Sequence, residues 1–226
     1  MVAMNRAYLP ALLSCLILAA CGAGSGGDDL PGDPCSIHLE PGQDDQVSVQ
    51  SALLEAASGS VICFDPGVYR FTDGLSLSVP GITLRSSGSR AILDFSGQVA
   101  DAPGLDVTGD DFTVENLELR NTAGDAIRLL QVDSARLRRV RASWTADAPP
   151  VAGAHGIAIL GSGNVLVEAC RIRGAADAGV AIVGSAGVEV RLTSVRESGG
   201  GISFDESSEV ELRQNRLDPV VVPVAH

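Results

Sequence analysis

The chain has 226 residues, of which 45% are hydrophobic, so it is long enough for one domain and a leader. The formal net charge is −12, and every basic residue is an arginine. An acidic surface argues against a nucleic-acid partner, because nucleic-acid affinity comes largely from the neutralisation of phosphates. It also argues against a polyuronate ligand unless a cation intervenes. The charge allows calcium, but no spacing of ligand residues supports a metal site, and we expect no cofactor.

The first 34 residues predict a leader and a tether. Arg6 precedes an apolar run that is too short to span a bilayer, which predicts a signal peptide over residues 1–20. The run ends in Leu-Ala-Ala-Cys-Gly, which resembles the lipobox of bacterial lipoproteins. The resemblance implies cleavage before Cys21, acylation of its sulfur and, because glycine follows, sorting to the outer membrane of the cell envelope. An ordinary secretory leader with an incidental cysteine is the alternative. Residues 21–34 are rich in Gly, Asp and Pro and predict a flexible tether from the lipid to the domain.

Two further cysteines lie near the start of the predicted domain, residues 35–226. Export would place the chain in an oxidising compartment, so Cys35 and Cys63 predict a disulfide. Two free buried thiols are the alternative, because the sequence carries no information on the distance between them.

A repeat organises the chain from Ile82 to Leu217. The apolar pair Ile127/Leu129 recurs at Ile157/Ile159, Val180/Ile182 and Ile202/Phe204, and a second column contains Leu84, Val114, Leu137, Val167, Val190 and Leu212. Apolar residues alternate within each repeat, which indicates strands. Self-similarity at a period near 22 residues indicates a solenoid, in which each coil buries its face against the next. We therefore predict an all-β fold, a parallel β-helix of about seven coils.

Residues 43–57 predict an N-terminal capping helix. Val47, Ala52, Leu53 and Ala56 have helical spacing, and acidic residues come first. A β-helix must cover its open first coil or leave a row of unpaired backbone groups. The following sequence, SGSVICFDPGVYRF, completes a pattern that resembles the pectate-lyase-like right-handed β-helix proteins. That resemblance implies a right-handed helix.

The middle of the chain resembles a narrower family. FTVENLELRNTAGDAIRL and NVLVEACRIRGAADAGVAI are similar to secreted or lipid-anchored bacterial parallel β-helix repeat proteins, which have no settled activity; the likeness covers about residues 35–186. Such proteins tend to have an aromatic residue where this chain has His155. A looser likeness to polygalacturonase-type glycoside hydrolases rests on three motifs: Asn121-Thr122, His155-Gly156 and Arg171-Ile172-Arg173. The paired carboxylates that glycoside hydrolysis requires are absent between these motifs.

Two coils, 82–111 and 135–163, are longer than the others and carry their extra residues between the same two strands. Coils stack at about 4.8 Å, so the two loops would stand roughly 10 Å apart and flank a groove. Two unrelated surface loops are the alternative. The predicted floor of the groove comprises Arg120, Asn121, Thr122, Gly124 and Asp125.

Asp125 and His155 are the candidate catalytic residues. They are thirty residues apart, the local repeat length, so they occupy equivalent positions on adjacent coils. An aspartate that orients an imidazole is a general-base arrangement, whereas an inert surface hydrogen bond is the alternative. Trp144 offers an indole for sugar stacking unless it folds over its own loop. The candidate binding residues are Arg120, Asn121, Trp144 and Asp177.

Two functions stay open from the sequence, beside a third, purely structural role. The first is a cell-envelope lipoprotein whose β-helix binds polysaccharide or a partner protein. The second is a polysaccharide lyase or glycoside hydrolase that acts through Asp125 and His155. The last predicted coil, 209–219, is followed by a short apolar tail without helical pattern. It predicts an incomplete end that either frays or associates with a partner protein or a second copy.

Overall fold

The computed structural model describes residues 35–99, 101–148 and 154–218. The predicted signal peptide, the tether with Cys21, and the tail 219–226 lie outside the described residues. The described elements, in chain order, are β1 (Ile37–Leu39), α1 (Asp45–Glu55), β2 (Val61–Phe64), β3 (Val68–Arg70), β4 (Leu75–Leu77), β5 (Thr83–Ser86), β6 (Ala91–Asp94), β7 (Leu105–Val107), β8 (Phe112–Glu115), β9 (Leu117–Arg120), β10 (Ile127–Leu130), β11 (Asp133–Arg138), β12 (Arg141–Ser143), β13 (Ile157–Leu160), β14 (Gly163–Glu168), β15 (Arg171–Arg173), β16 (Ala178–Val183), β17 (Ala186–Arg191), β18 (Ser194–Arg196), β19 (Gly200–Asp205), β20 (Ser208–Arg213) and β21 (Arg216–Leu217).

The strands form three parallel sheets, named first, second and third in the order in which the chain visits them. The first sheet contains β1, β2, β5, β8, β11, β14, β17 and β20, the second contains β3, β6, β9, β12, β15, β18 and β21, and the third contains β4, β7, β10, β13, β16 and β19. Each strand pairs in parallel with its counterpart one coil further on. This confirms the predicted parallel β-helix. The first sheet has eight strands, one more than the predicted number of coils, which was about seven. The additional strand is β1, which precedes the helix and pairs with β2.

The interior of the coils is one continuous hydrophobic core. The apolar columns keep the register that the repeat predicts. Val114, Leu129, Val167 and Ile182, from four different coils, each have 0% of their surface exposed. Alternation along each strand sends the intervening residues outward, so the outer faces of the sheets carry the polar chemistry.

One left-handed residue directly follows the first-sheet strand at the corner between the first and second sheets in five coils. Its φ lies between 52° and 55° in Asn116, Arg139, Ala169, Leu192 and Gln214. A left-handed residue turns the chain sharply within one position, so each second-sheet strand starts at the same place in its coil. As a consequence, the outward residues of the second sheet stand in straight columns along the solenoid.

Glycines let the third sheet approach the second. A Cβ at Gly156 would overlap the side chain of Ile172, and a Cβ at Gly179 would overlap Val195. No other residue type fits that close approach. In this chain, Gly156 of the His155-Gly156 motif is therefore explained by packing.

Helix α1 covers the open end of the first coil, where its side chains form hydrogen bonds with backbone N–H and C=O groups. The carboxylate of Asp45 accepts hydrogen bonds from the backbone of Gly42 (2.7 Å) and Arg70 (2.8 Å). The Gln50 amide both accepts from Ser76 N–H and donates to Ser76 C=O, each at 2.9 Å, as a neighbouring strand would. The capping helix is confirmed, although Val47 is 66% exposed.

The buried positions of α1 are instead Asp45, Val49 and Leu53. The predicted apolar face was wrong at Val47 because Asp45, an acid, turns inward to bind backbone N–H groups. The polar contacts of the cap therefore set the rotation of the helix.

A disulfide joins Cys35, just before β1, to Cys63 in β2, with Cα atoms 5.7 Å apart. It ties the start of the described chain to the first complete coil. Cys170 is a buried free thiol in the core, and burial raises the pKa of its thiol to about 12. It is therefore a packing residue rather than a nucleophile.

The last described coil leaves apolar side chains uncovered. Phe204, Leu212 and Leu217 continue the inward columns, yet they are 58%, 45% and 45% exposed. Fraying or association of the coil 209–219 stays a prediction. Across the described ranges, no helix is long and apolar enough to cross a membrane.

Candidate functional site

The segment predicted as a groove floor is covered. Asn121 and Thr122 are 1% and 0% exposed, because both long loops pack onto them. The Asn121 amide donates to Ser96 Oγ (2.8 Å) in one loop and accepts from Thr145 N–H (2.8 Å) in the other. The polar groups of a long loop need partners, and Asn121 supplies them. The predicted groove is wrong, and Asn121 holds the loops together.

Trp144 belongs to the same closure. Its indole N–H donates to the backbone carbonyl of Thr122 at 2.8 Å, and its half-buried ring packs against the core. This is the alternative arrangement in which the indole folds over its own loop. The geometry therefore makes Trp144 a packing residue of the loop and not a free stacking platform.

Asp125 and His155 lie on adjacent coils but do not form the predicted carboxylate–imidazole hydrogen bond. Asp125 Oδ1 accepts from the backbone N–H of His155 at 2.9 Å, and His155 Nδ1 accepts from Ala178 N–H at 3.2 Å. Burial raises the pKa of Asp125, while the His155 backbone hydrogen bond and the charges of His155 and Arg128 act in the opposite direction. Both ring and carboxylate are held by backbone, so the arrangement is a structural rung.

The other two candidate binding residues differ in their position relative to this rung. Arg120 is on the outer face of the second sheet, where its guanidinium binds Glu118 at 2.8 Å. Asp177 is exposed and follows Ala154 by one coil, with its backbone N–H donating to Ala154 C=O at 2.8 Å. Arg120 therefore lies away from the Asp125–His155 rung, whereas Asp177 lies beside it, since the next residue, Ala178, donates to the His155 ring.

The second sheet carries a surface concavity. We name it the arginine groove; its volume is about 790 Å³. It is lined by a single acidic residue, Glu118, and by five arginines: Arg141, Arg171, Arg173, Arg196 and Arg216. The register aligns Arg141 with Arg171 on adjacent coils, so their guanidinium groups project from one column.

Two arginines of the first sheet are neutralised by carboxylates, whereas three of the five arginines in the groove are not. On the first sheet, Arg138 bridges Glu115 and Glu168, and Arg191 bonds Glu168 at 2.7 Å. Where the structure describes the chain, two of the groove arginines have carboxylate partners: Arg173 with Glu197, and Arg196 with Asp218.

Within residues 35–99, 101–148 and 154–218, the guanidinium groups of Arg141, Arg171 and Arg216 have no carboxylate or hydrogen-bond partner. They contribute a local excess of positive charge on a chain of net charge −12. The net charge of the whole chain therefore does not describe the charge of the arginine groove.

A smaller cavity of about 270 Å³ adjoins the groove at the corner between the first and second sheets. We name it the corner pocket; its charged lining is Arg90, Arg139, Arg141 and Arg171, of which the last two also line the groove. Burial lowers the pKa of Arg90, and the nearby charge of Arg141 lowers it further. Such crowding of like charges is costly unless an anion offsets it.

A comparison with protein families identifies the fold independently of these contacts. The model of the right-handed β-helix region matches residues 103–219, slightly more than half of the chain. The chain belongs to the right-handed β-helix family. No curated protein sequence matches it.

Solved structures share the right-handed β-helix at low sequence identity. A candidate glycosyl hydrolase from Parabacteroides merdae ATCC 43184 superposes with a TM-score of 0.63 and 11% identity, over 82% of this chain and 99% of that chain. Pectate lyase Pel9A gives 0.55 and 16%, over 70% and 48%. An alginate lyase from Paenibacillus sp. str. FPU-7 gives 0.52 and 17%, over 79% and 74%. The chain thus spans about half the length of the pectate lyase, and the likeness shows the fold alone.

The arginine groove of this β-helix protein left a signal in the sequence. Arginines flank successive members of one inward column, as in Arg171-Ile172-Arg173 and at Arg141 and Arg196. Reading the residues on either side of that column would have found the groove. Metal ligands show no comparable pattern, since among the described residues no group of three or more His, Cys, Asp or Glu could hold an ion.

Proposed function

We propose that the protein is a lipid-anchored component of the bacterial cell envelope that binds an anionic polysaccharide along the arginine groove. The observation that carries this proposal is the set of unpaired guanidinium groups of Arg141, Arg171 and Arg216 on an otherwise acidic chain. Guanidinium forms paired hydrogen bonds with carboxylate and sulfate oxygens, and it is more weakly hydrated than ammonium.

The shape of the groove supports a polymer rather than a small anion. Its arginines come from successive coils, from β12 to β21, and coils repeat at about 4.8 Å. An extended chain with regularly placed negative charges would meet one arginine after another. The anchor, which rests on the Leu-Ala-Ala-Cys-Gly sequence, would hold this surface at an envelope where such polymers occur.

Binding of defined polymers to the full chain in non-ionic detergent tests the proposal. We expect polygalacturonate or alginate to bind, neutral dextran not to bind, and the affinity to fall as the NaCl concentration rises, because salt screens exposed charges. Arg171→Gln should weaken binding. Arg136→Gln is the matched control, since Arg136 is an exposed arginine on the first sheet outside both cavities.

Three outcomes would overturn the proposal. Equal binding of dextran would exclude recognition by charge. Equal weakening by Arg171→Gln and Arg136→Gln would exclude the groove as the site. Binding of duplex DNA without binding of either polysaccharide would indicate a nucleic-acid partner. Incubation of the same polymers with the protein, followed by product analysis, addresses the alternative of a lyase or hydrolase.

A further inference from the structure

The corner pocket has a feature that the arginine groove lacks, which is a buried donor without an acceptor. The Nε of Arg90 is buried and makes no hydrogen bond within the described residues. Leaving a buried charged donor unsatisfied costs stability, and a native fold retains such a group where something else supplies the acceptor.

The position of Arg90 is fixed by contacts on both sides. Its Nη2 donates to the backbone carbonyl of Arg139, 49 residues further on, at 2.9 Å. The turn that precedes it is held by Asn116, whose side-chain amide donates to Gly88 C=O at 3.3 Å. The side chain therefore lies along the corner of the solenoid with its Nε fixed in place rather than free to turn toward solvent.

The nearby acids offset this charge only in part: the charge of Glu118 acts against the lowering of the Arg90 pKa, but its carboxylate is bound elsewhere. Glu118 accepts two hydrogen bonds from Arg120, at 2.8 and 3.2 Å, and a third from Ser143 Oγ at 3.3 Å. Glu115 lies 4.0 Å from Arg139 but bonds Arg138 more closely, at 3.3 Å. Of the four guanidinium groups that line the pocket, only that of Arg139 has a carboxylate partner among the described residues, Glu115 at 4.0 Å.

We propose that the corner pocket is a subsite for a single oxyanion group, the carboxylate of a uronate or the sulfate ester of a sulfated sugar. The oxyanion would accept from Arg90 Nε and from the guanidinium groups of Arg141 and Arg171. Because Arg141 and Arg171 also line the arginine groove, the subsite extends the polysaccharide site of the proposed function, on which this inference rests.

Titration of arginine side-chain signals tests the subsite directly. The full chain with 15N-labelled arginine, in non-ionic detergent, is titrated with sodium galacturonate, sodium sulfate and, as the neutral control, galactose. The Nε–H signals of Arg90 and Arg136 are assigned by their loss in Arg90→Lys and Arg136→Lys. We expect a saturable shift of the Arg90 signal with galacturonate or sulfate, no shift with galactose, and no shift of the Arg136 signal.

The anion that shifts the Arg90 signal identifies the chemical group that the pocket binds. A response to galacturonate assigns a uronate carboxylate, and a response to sulfate alone assigns a sulfate ester; both support the subsite. No saturable shift with either anion would overturn it. An equal shift of the Arg136 signal would also overturn it, because the effect would then be general ion screening.

Polymer affinity separates this inference from the proposed function. Arg90→Gln should lower the affinity for the responding polymer by about tenfold, as for loss of a charged hydrogen bond, and Arg136→Gln should not. Arg216 lines the arginine groove but not the corner pocket. If Arg216→Gln weakens binding and Arg90→Gln does not, the proposed subsite is contradicted and the proposed function stands. If no polymer binds the wild-type chain, the proposed function fails, and the titration still decides whether the pocket takes an anion.

Discussion

The carboxylate of Asp125 accepts a hydrogen bond from the backbone N–H of His155 at 2.9 Å, while the His155 ring bonds to the next coil. Equivalent positions on adjacent coils are therefore joined through the backbone. The contact that suggested a catalytic pair is a rung of the solenoid, and it leaves the arginine groove on the second sheet as the better candidate site.

Asp125→Asn should stabilise the fold at neutral pH. Burial raises the pKa of Asp125, so the folded state favours the protonated carboxyl. Protonated Asp125 therefore stabilises the fold fully below the pKa of the unfolded state, about 3.9. This stabilisation is lost as the pH rises through the pKa of Asp125 in the folded state. Asparagine keeps an oxygen for the His155 N–H without the charge.

Thermal melting across the pH range checks this prediction. We expect the variant to melt above wild type at about pH 7, with a difference that shrinks as wild-type Asp125 becomes protonated. A variant that melts below wild type at neutral pH would show that the charge on Asp125 is stabilising.

Trp144→Phe should lower stability by about 1 kcal/mol, because phenylalanine keeps a packed ring but cannot donate to Thr122 C=O. Trp144→Ala should cost more, since it also removes the ring from the core. Denaturant unfolding measures both. If Trp144→Ala unfolds like wild type and instead weakens polysaccharide binding, the indole is a binding platform after all.

Ile182→Asp should destabilise the solenoid by several kcal/mol, because Ile182 is fully buried and the carboxylate would have no partner. Val183→Asp is the matched control: its side chain follows directly in β16, points outward and is 39% exposed. Chemical denaturation of both variants compares the two positions. Equal loss from both substitutions would contradict the inward and outward assignment of this strand.

Cys21→Ser should abolish lipidation and release the protein from the envelope, because the predicted acyl acceptor is the Cys21 sulfur. Mass spectrometry of the mature N-terminus gives the direct measurement, with a diacylglyceryl adduct on Cys21 as the expected result. An unmodified terminus at another residue would contradict the lipoprotein proposal and leave an ordinary secreted protein.

Much of the fold was predictable because buried apolar positions recur once in every coil. The inward columns and the capping helix follow from spacing, the pairing of Cys35 with Cys63 was expected from export to an oxidising compartment, and the structure contains all three. The rotation of α1 was not predictable from apolar spacing, since the buried Asp45 depends on backbone donors of Gly42 and Arg70 that are distant or outside the helix.

The candidate site was harder to predict because loop packing and ion pairing are three-dimensional. The sequence shows two long loops but not that Asn121 fastens them together. It shows sixteen arginines but not which are neutralised: Arg138 and Arg141 are three residues apart, and only Arg138 has acidic partners. The net charge of the chain counts paired and unpaired arginines alike, so it does not reveal this difference.

Chemical footprinting of arginines in the presence of polymer shows directly whether the arginine groove holds the polymer. The full chain is modified with phenylglyoxal with and without polygalacturonate or alginate, and the modified peptides are quantified by mass spectrometry. We expect polymer to protect Arg141, Arg171 and Arg216 and to leave Arg136 as reactive as before. Protection of Arg136 to the same extent, or no protection in the groove at a polymer concentration that saturates binding, would contradict this expectation.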